Sequence, residues 1–273
     1  MIPLLVPARL LLLIALLSVA AAGPENAPNS AYLGFDRNQY PGDEQLDALR
    51  RTFRFTSYWL NNPPGEKSNT WQGKRPLLRS QGFGFVVLFN GRVSKELKTP
   101  ADASALGASD GALAVKAAAA EGFPQRTAIF LDLEEGGRLL RPQRAYVHAW
   151  GDAVRKAGFR AGVYCSGLRS REGHGETVIT AEDIRQHAGN REIVYWVAND
   201  ACPPSPGCAL SPPRPRQSGL PFASVWQFAQ SPRRPQFASA CANYARDKNC
   251  YAPGTALFVD LDAAESPDPS LGR

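Results

Sequence analysis

Five acidic residues carry most of the chemical content of this sequence: Asp36, Asp132, Glu134, Asp260 and Asp262, each at or just after the end of a short apolar run. Two of these runs close in an acid–leucine–acid triplet, Asp132-Leu133-Glu134 and Asp260-Leu261-Asp262. Side chains alternate along a strand, so both acids of a triplet share one face, with Ile129, Leu131 and Leu133 on the other. Their Cβ atoms then lie roughly 6–7 Å apart, close enough for like-charge repulsion to raise one pKa. One carboxyl holds a proton near neutrality while its neighbour is ionised. Glycoside hydrolysis needs that pair, a general acid for the leaving oxygen and a carboxylate for the cationic anomeric centre.

The same acids admit other readings. Strand-end carboxylates cap neighbouring helices or pair with Arg37, Arg92 and Arg138, and an Asp cluster can also offer hard oxygen ligands to Ca²⁺ or Mg²⁺. The three histidines, His148, His174 and His187, fall at no predicted strand end, which argues against a His-type zinc site. The G-x-S-x-G string Gly107–Gly111 falls inside the alanine-rich helical stretch rather than at a strand-to-helix turn, so no serine-hydrolase elbow is expected. The expectation is a site with neither metal nor cofactor.

Aromatic and amide residues close the remaining runs: Tyr58, Trp59 and Asn61; Asn90; Tyr164; Trp196 and Asn199; Trp226 and Gln227. Sugars present apolar ring faces edged by hydroxyls, so aromatic walls with amide donors suit a glycan. These residues, with Asp262, are the expected glycan contacts.

The elements that must position them follow a regular alternation. Eight strand-length runs are legible, at Ala31–Asp36, Phe55–Asn61, Gly82–Asn90, Arg126–Glu134, Arg160–Ser166, Glu192–Asp200, Phe222–Gln230 and Thr255–Ala263. Helical stretches separate the first ones. Asp43–Thr52 begins acidic and ends Arg50-Arg51; Asp102–Glu121 is alanine-rich before Gly122; Pro142–Ala157 has Pro in its first turn and stops at Gly158; Thr180–Ala188 opens with a capping-type run. A shorter one spans Trp71–Ser80. Such alternation predicts an α/β fold, an irregular (β/α)8 barrel of TIM type with a parallel sheet, whose chemistry sits at the C-terminal ends of the strands. Its second half is helix-poor: Cys202–Pro221 holds seven prolines where a helix would stand.

The first 22 residues have one charge, Arg9, then a leucine-rich run and Ala20-Ala21-Ala22, the pattern of a secretory signal peptide. The apolar stretch after Arg9 is about 13 residues, short of the roughly 20 needed to span a bilayer, so no stable membrane anchor is expected. The expected organisation is a signal peptide over 1–22, a short segment over 23–30, the barrel over 31–265 and a flexible tail over 266–273. Release to the periplasm or the extracellular space follows. An exported chain with five cysteines invites pairing, and the close pairs Cys202/Cys208 and Cys241/Cys250 are the expected disulfides, leaving Cys165 as a buried thiol. The net charge of +6 suits an anionic partner, but Lys and Arg are scattered along the chain without a concentrated run, so nucleic acid is not expected. A monomer is the expected state.

Taken in order, Gly34-Phe35-Asp36, Asp132-Leu133-Glu134, Val163-Tyr164, Trp196-Val197-Ala198, Trp226-Gln227 and Val259-Asp260-Leu261 resemble the family 25 glycoside hydrolases, the Chalaropsis-type lysozymes. The opening GFDRNQYPG and the segment YWLNNPPG resemble still more closely the glycoside-hydrolase-like domain of unknown function 1906. The resemblance implies cleavage of the β-1,4 bond between N-acetylmuramic acid and N-acetylglucosamine in peptidoglycan, with Glu134 as general acid. Asp132 would assist the substrate acetamido group or stabilise the cationic centre, and Asp36 and Asp260 would be supporting acids. The tract Asn61–Thr70 departs from the family pattern and is expected to reshape the cleft. A non-catalytic barrel that binds cell-wall glycan is the alternative.

Overall fold

The computed structural model describes residues 31–200, 212–230, 252, 254, 255 and 257–273. The expected signal peptide and the cysteines Cys202, Cys208, Cys241 and Cys250 lie outside the described residues. Among those described, no helix is long and apolar enough to cross a membrane.

Eight strands close a barrel: β1 (Tyr32–Asp36), β2 (Phe55–Trp59), β3 (Gly84–Asn90), β4 (Ala128–Asp132), β5 (Arg160–Ser166), β8 (Val194–Ala198), β9 (Ala223–Ala229) and β10 (Asp260–Ala264), the last pairing back onto the first. A small hairpin, β6 (Arg169–Arg171) with β7 (Thr177–Ile179), stands apart. Among the described residues five α-helices follow the early strands: α1 (Leu46–Thr52), α2 (Arg75–Ser80), α3 (Pro100–Ala120), α4 (Arg141–Lys156) and α5 (Thr180–His187). Strands such as β3 (GFVVLFN) are apolar on both faces, as burial between a filled barrel and covering helices requires. Helices α3 and α4 pack so closely that a Cβ at Gly107 would come within 2.3 Å of the Tyr146 carbonyl, and one at Gly111 within 2.7 Å of that of Trp150.

Two expectations are corrected. The sheet is not wholly parallel: β10 runs antiparallel to both β1 and β9. An antiparallel strand is entered at the end of the barrel where its predecessor leaves, so it needs no crossover. Asp260 therefore opens its strand rather than closing it, yet pairs with Asp36 and so still lies at the mouth. The segment 266–273 is not a flexible tail. Asp268 accepts from the Phe85 amide at 2.9 Å, and Ser270 takes the Val87 amide on its hydroxyl at 3.0 Å and the Ala128 amide on its carbonyl at 2.7 Å. The tail thus fills the wedge between the starts of β3 and β4, satisfying backbone groups that the ladder between them leaves over.

Candidate active site

The barrel interior is filled from below by aromatic rings. Phe130 of β4 meets Trp196 of β8 edge to face at 5.8 Å, and Gly162 of β5 makes room, since a Cβ there would lie 2.6 Å from the Phe130 ring. Above this floor β1, β4 and β10 bring their acids together. Asp36, Asp132, Glu134 and Asp260 line one open cavity of about 360 Å³, with Trp59, Tyr164, Trp196 and Gln227 as walls.

Asp36 is 8% exposed and accepts from Gln227 Nε2 at 2.8 Å. Burial, then the Asp260 charge, pushes its pKa up to about 7. Gln227 is held by its own carbonyl, which accepts from the Tyr164 hydroxyl at 2.9 Å and from Gln230 Nε2 at 3.2 Å. Asp262 lies one layer lower, opposite Gly34 and wholly buried. Its Oδ1 accepts from Trp196 Nε1 at 3.0 Å, while Oδ2 meets no protein donor. Burial and the Asp36 charge raise Asp262 well above the usual carboxylate range.

Asp132 differs from both. It is 3% exposed, and neither oxygen has a protein hydrogen-bond donor. Burial, Glu134 and Asp36 together raise its pKa well above 3.8. Glu134 lies past the end of β4 and is exposed at the rim, so the two acids share the mouth without sharing a strand. A second cavity of about 230 Å³ adjoins the first through these same two residues and continues between Arg92, Pro64 and Leu139. Glu135 faces away from Glu134, taking the Ser94 amide at 2.7 Å, its hydroxyl at 2.8 Å and Gln143 Nε2 at 2.9 Å, and so pins the loop that carries Glu134.

Several expected glycan contacts lie elsewhere. Tyr58 is buried outside the barrel wall among Trp71, Phe85 and Phe123, with its hydroxyl donated to Glu121. Trp226 likewise points outward, packing on Phe228 and donating to the Asn199 carbonyl at 2.8 Å. The cause is period two: Trp59 and Gln227 face the interior, so their neighbours Tyr58 and Trp226 cannot. The Asn61 side chain is spent on the Asn90 backbone, Oδ1 accepting its amide at 2.7 Å and Nδ2 reaching its carbonyl at 3.0 Å, whereas Asn90 itself lines the second cavity with Nδ2 donated to the Asn62 carbonyl at 2.9 Å. Asn199 caps the Ser218 carbonyl at 2.8 Å, and Asp262 sits beneath the cavity rather than in it. Cys165 is buried and its thiol is pushed up to about 12, which leaves it inert as a nucleophile.

Arg37, which the sequence offered only as an ion-pair partner for the acids, also lines the cavity, as do Asn38 and Gln230, which it did not single out. Arg37 and Asn38 follow the end of β1 directly, a position at which barrel loops reach the mouth. The Arg37 amide is held by Ser57 Oγ at 3.2 Å, and its carbonyl takes Trp59 Nε1 at 3.1 Å. The tract 61–70 packs on this loop, the Pro64 carbonyl accepting from Asn38 and Thr70 Oγ1 from the Tyr40 amide, so it walls the mouth.

Two expected outcomes follow here. Asp262→Asn keeps an acceptor for Trp196 and removes a buried acid whose pKa is raised by burial and by the Asp36 charge, so the melting temperature at pH 7 should rise by about 2–5 °C and the gain should shrink at pH 4. Tyr58→Phe should cost about 1–2 kcal/mol in urea unfolding while any turnover at the mouth stays unchanged.

Residues 74–205 match the family model of the Rv2525c-like, glycoside hydrolase-like domain. No curated protein matches the chain. Among solved structures, an uncharacterized B. stearothermophilus protein superposes with a TM-score of 0.54 at 16% identity, over 85% of this chain and 95% of its own. The Tat-secreted protein Rv2525c of Mycobacterium tuberculosis, in complex with HEPES, gives 0.52 at 13% identity, over 89% and 99%. The spore cortex lytic enzyme SleM of Clostridium perfringens gives 0.52 at 15% identity, over 86% and 68%. These identities speak for the fold alone. Over residues 74–205, just under half its length, the chain is similar to the Rv2525c-like, glycoside hydrolase-like domain.

Proposed function

We propose that the protein is a secreted glycoside hydrolase that cleaves peptidoglycan or a related N-acetylated glycan at the junction of the two mouth cavities. The observation that carries this reading is Asp132: a buried carboxyl, set where the cavities meet, with no protein donor on either oxygen. An acetamido N–H is a donor of the right kind. Accepting it would stabilise Asp132 as a carboxylate and turn the acetamido oxygen towards the anomeric carbon, where positive charge develops. Glu134, at the rim and touching both cavities, is positioned to protonate the leaving oxygen as the bond breaks. Asp36, Asp260 and Asp262 keep the surroundings acidic, so protons reside in the site at neutral pH. Of the rings that line the cavity, Tyr164 is the most open to a sugar, with Trp59 4% and Trp196 1% exposed; this aromatic wall is narrower than the sequence led us to expect.

The signal-peptide pattern and the Tat-secreted structural neighbour support export to where such a glycan lies. The test is digestion of purified peptidoglycan by the mature chain, with mass spectrometry of the fragments. New muramic-acid reducing ends are the expected product. A protein that sediments with the wall yet releases no fragments would instead be a glycan-binding barrel.

A further inference from the structure

We propose that the foot of the barrel, opposite the acidic mouth, is a second binding site, for a linear phosphate-bearing polyanion. An open basin of about 650 Å³ lies there, beneath the starts of β4, β5 and β8. Five arginines line it, Arg126, Arg155, Arg160, Arg185 and Arg191, against one carboxylate, Glu192. They come from the turn before β4, the last turn of α4, the first residue of β5, the last turn of α5 and the approach to β8. Backbone bonds hold the turns together: the Arg126 amide reaches the Gly158 carbonyl at 2.8 Å, and the Arg160 amide the Thr127 carbonyl at 3.0 Å.

Among the described residues only Arg191 of these five has an ion pair, with Asp152 at 2.9 Å. Among the described residues Arg126, Arg155 and Arg160 are exposed and have no ion pair. Arg185 stacks its guanidinium 4.4 Å over the Phe222 ring, which fixes the group's plane and keeps its edge N–H donors for an anion. The helix termini beside Arg155 and Arg185 offset about half a charge each, but Arg126 and Arg160 stand on no helix.

Guanidinium forks match phosphate geometry, and several converging on one recess favour a chain of phosphates over a single ion. Two other polyanions fit less well. Bases would need open aromatic platforms, and Phe159 and Tyr195, the rings lining the basin, are buried. An anionic bilayer would need several apolar side chains at the rim; of the exposed large ones among the described residues, Leu113, Leu140 and Leu168 lie elsewhere, leaving Leu271 alone beside the start of β4.

The test is fluorescence anisotropy of the full mature chain with labelled medium-chain inorganic polyphosphate across a salt series. The parent should bind, with affinity falling steeply as salt rises. The Arg155→Glu/Arg160→Glu double variant should bind at least about tenfold more weakly, with a shallower salt slope and glycan cleavage unchanged. If that variant does not fold, Arg126→Gly serves: the residue sits at φ 67, where glycine is at ease, so a guanidinium is removed without added strain and a drop of about threefold is expected. Failure of the parent to bind, or equal binding by folded variants, overturns the proposal. Tighter binding of single-stranded nucleic acid of equal charge, or of vesicles containing anionic phospholipid, would also overturn it.

Discussion

Glu134→Gln is expected to lower glycan cleavage by about 10³-fold, the usual worth of a positioned proton donor, while sedimentation with the wall stays within about twofold. The amide keeps the size and polarity of the side chain and lacks only the proton. Because Glu134 is exposed and lies beyond β4, the melting temperature should stay within about 2 °C of the parent's. Turnover and thermal melts on the same preparations separate a lost proton from a lost fold. Cleavage that persists at more than about a tenth of the parent rate would remove Glu134 from the role of general acid.

Asp132→Asn is expected to move activity and stability in opposite directions. Turnover should fall by about 10²–10³-fold, because a neutral amide cannot supply charge beside the anomeric centre. Stability should rise. Below the unfolded value of 3.8 both states of the parent carry the proton, and the acid costs little. As pH climbs, the unfolded chain releases a proton that the folded site retains, and the parent loses up to about 1.4 kcal/mol per pH unit until the folded pKa is reached. The variant does not titrate there. Its advantage in chemical denaturation should therefore be small near pH 3 and grow through pH 7. A variant less stable than the parent at pH 7, with the same trend in pH, would mean that Asp132 is satisfied in solution by groups other than substrate. Asp36, pushed up to about 7 by the same burial, adds a parallel loss of parent stability between pH 3.8 and 7, so the two must be compared across the full range.

The stability gained by neutralising these acids is what a site holding four carboxyls in one mouth has to forgo. Neither the fold nor the cavity demands Asp132 in particular. A buried carboxyl with no donor is costly unless something outside the chain completes it.

Much of this was determined by the sequence alone. Apolar runs of strand length, spaced by helical stretches, specify a filled barrel because each run must bury both faces and each helix one. Where helices cover the sheet the reading agreed with the structure to within a few residues, as at α3, α4 and β5. The acids were legible because a carboxylate at the end of an apolar strand has few places to go but the mouth. Other features had no local signature. Period two says that Trp226 and Gln227 face opposite ways, but not which faces in; the neighbouring strands decided that, as they did for Tyr58 and Trp59. The direction of β10 depends on which end of the barrel the chain re-enters, a matter of closure rather than composition. The pairing of Asp260 with Asp36 joins residues at opposite ends of the chain. The arginines that look scattered between 126 and 191 converge because each stands at the start of a strand or the end of a helix. Where neighbouring strands run parallel, as β4, β5 and β8 do, such positions meet at one foot, so charge that is dilute along the chain becomes concentrated in space.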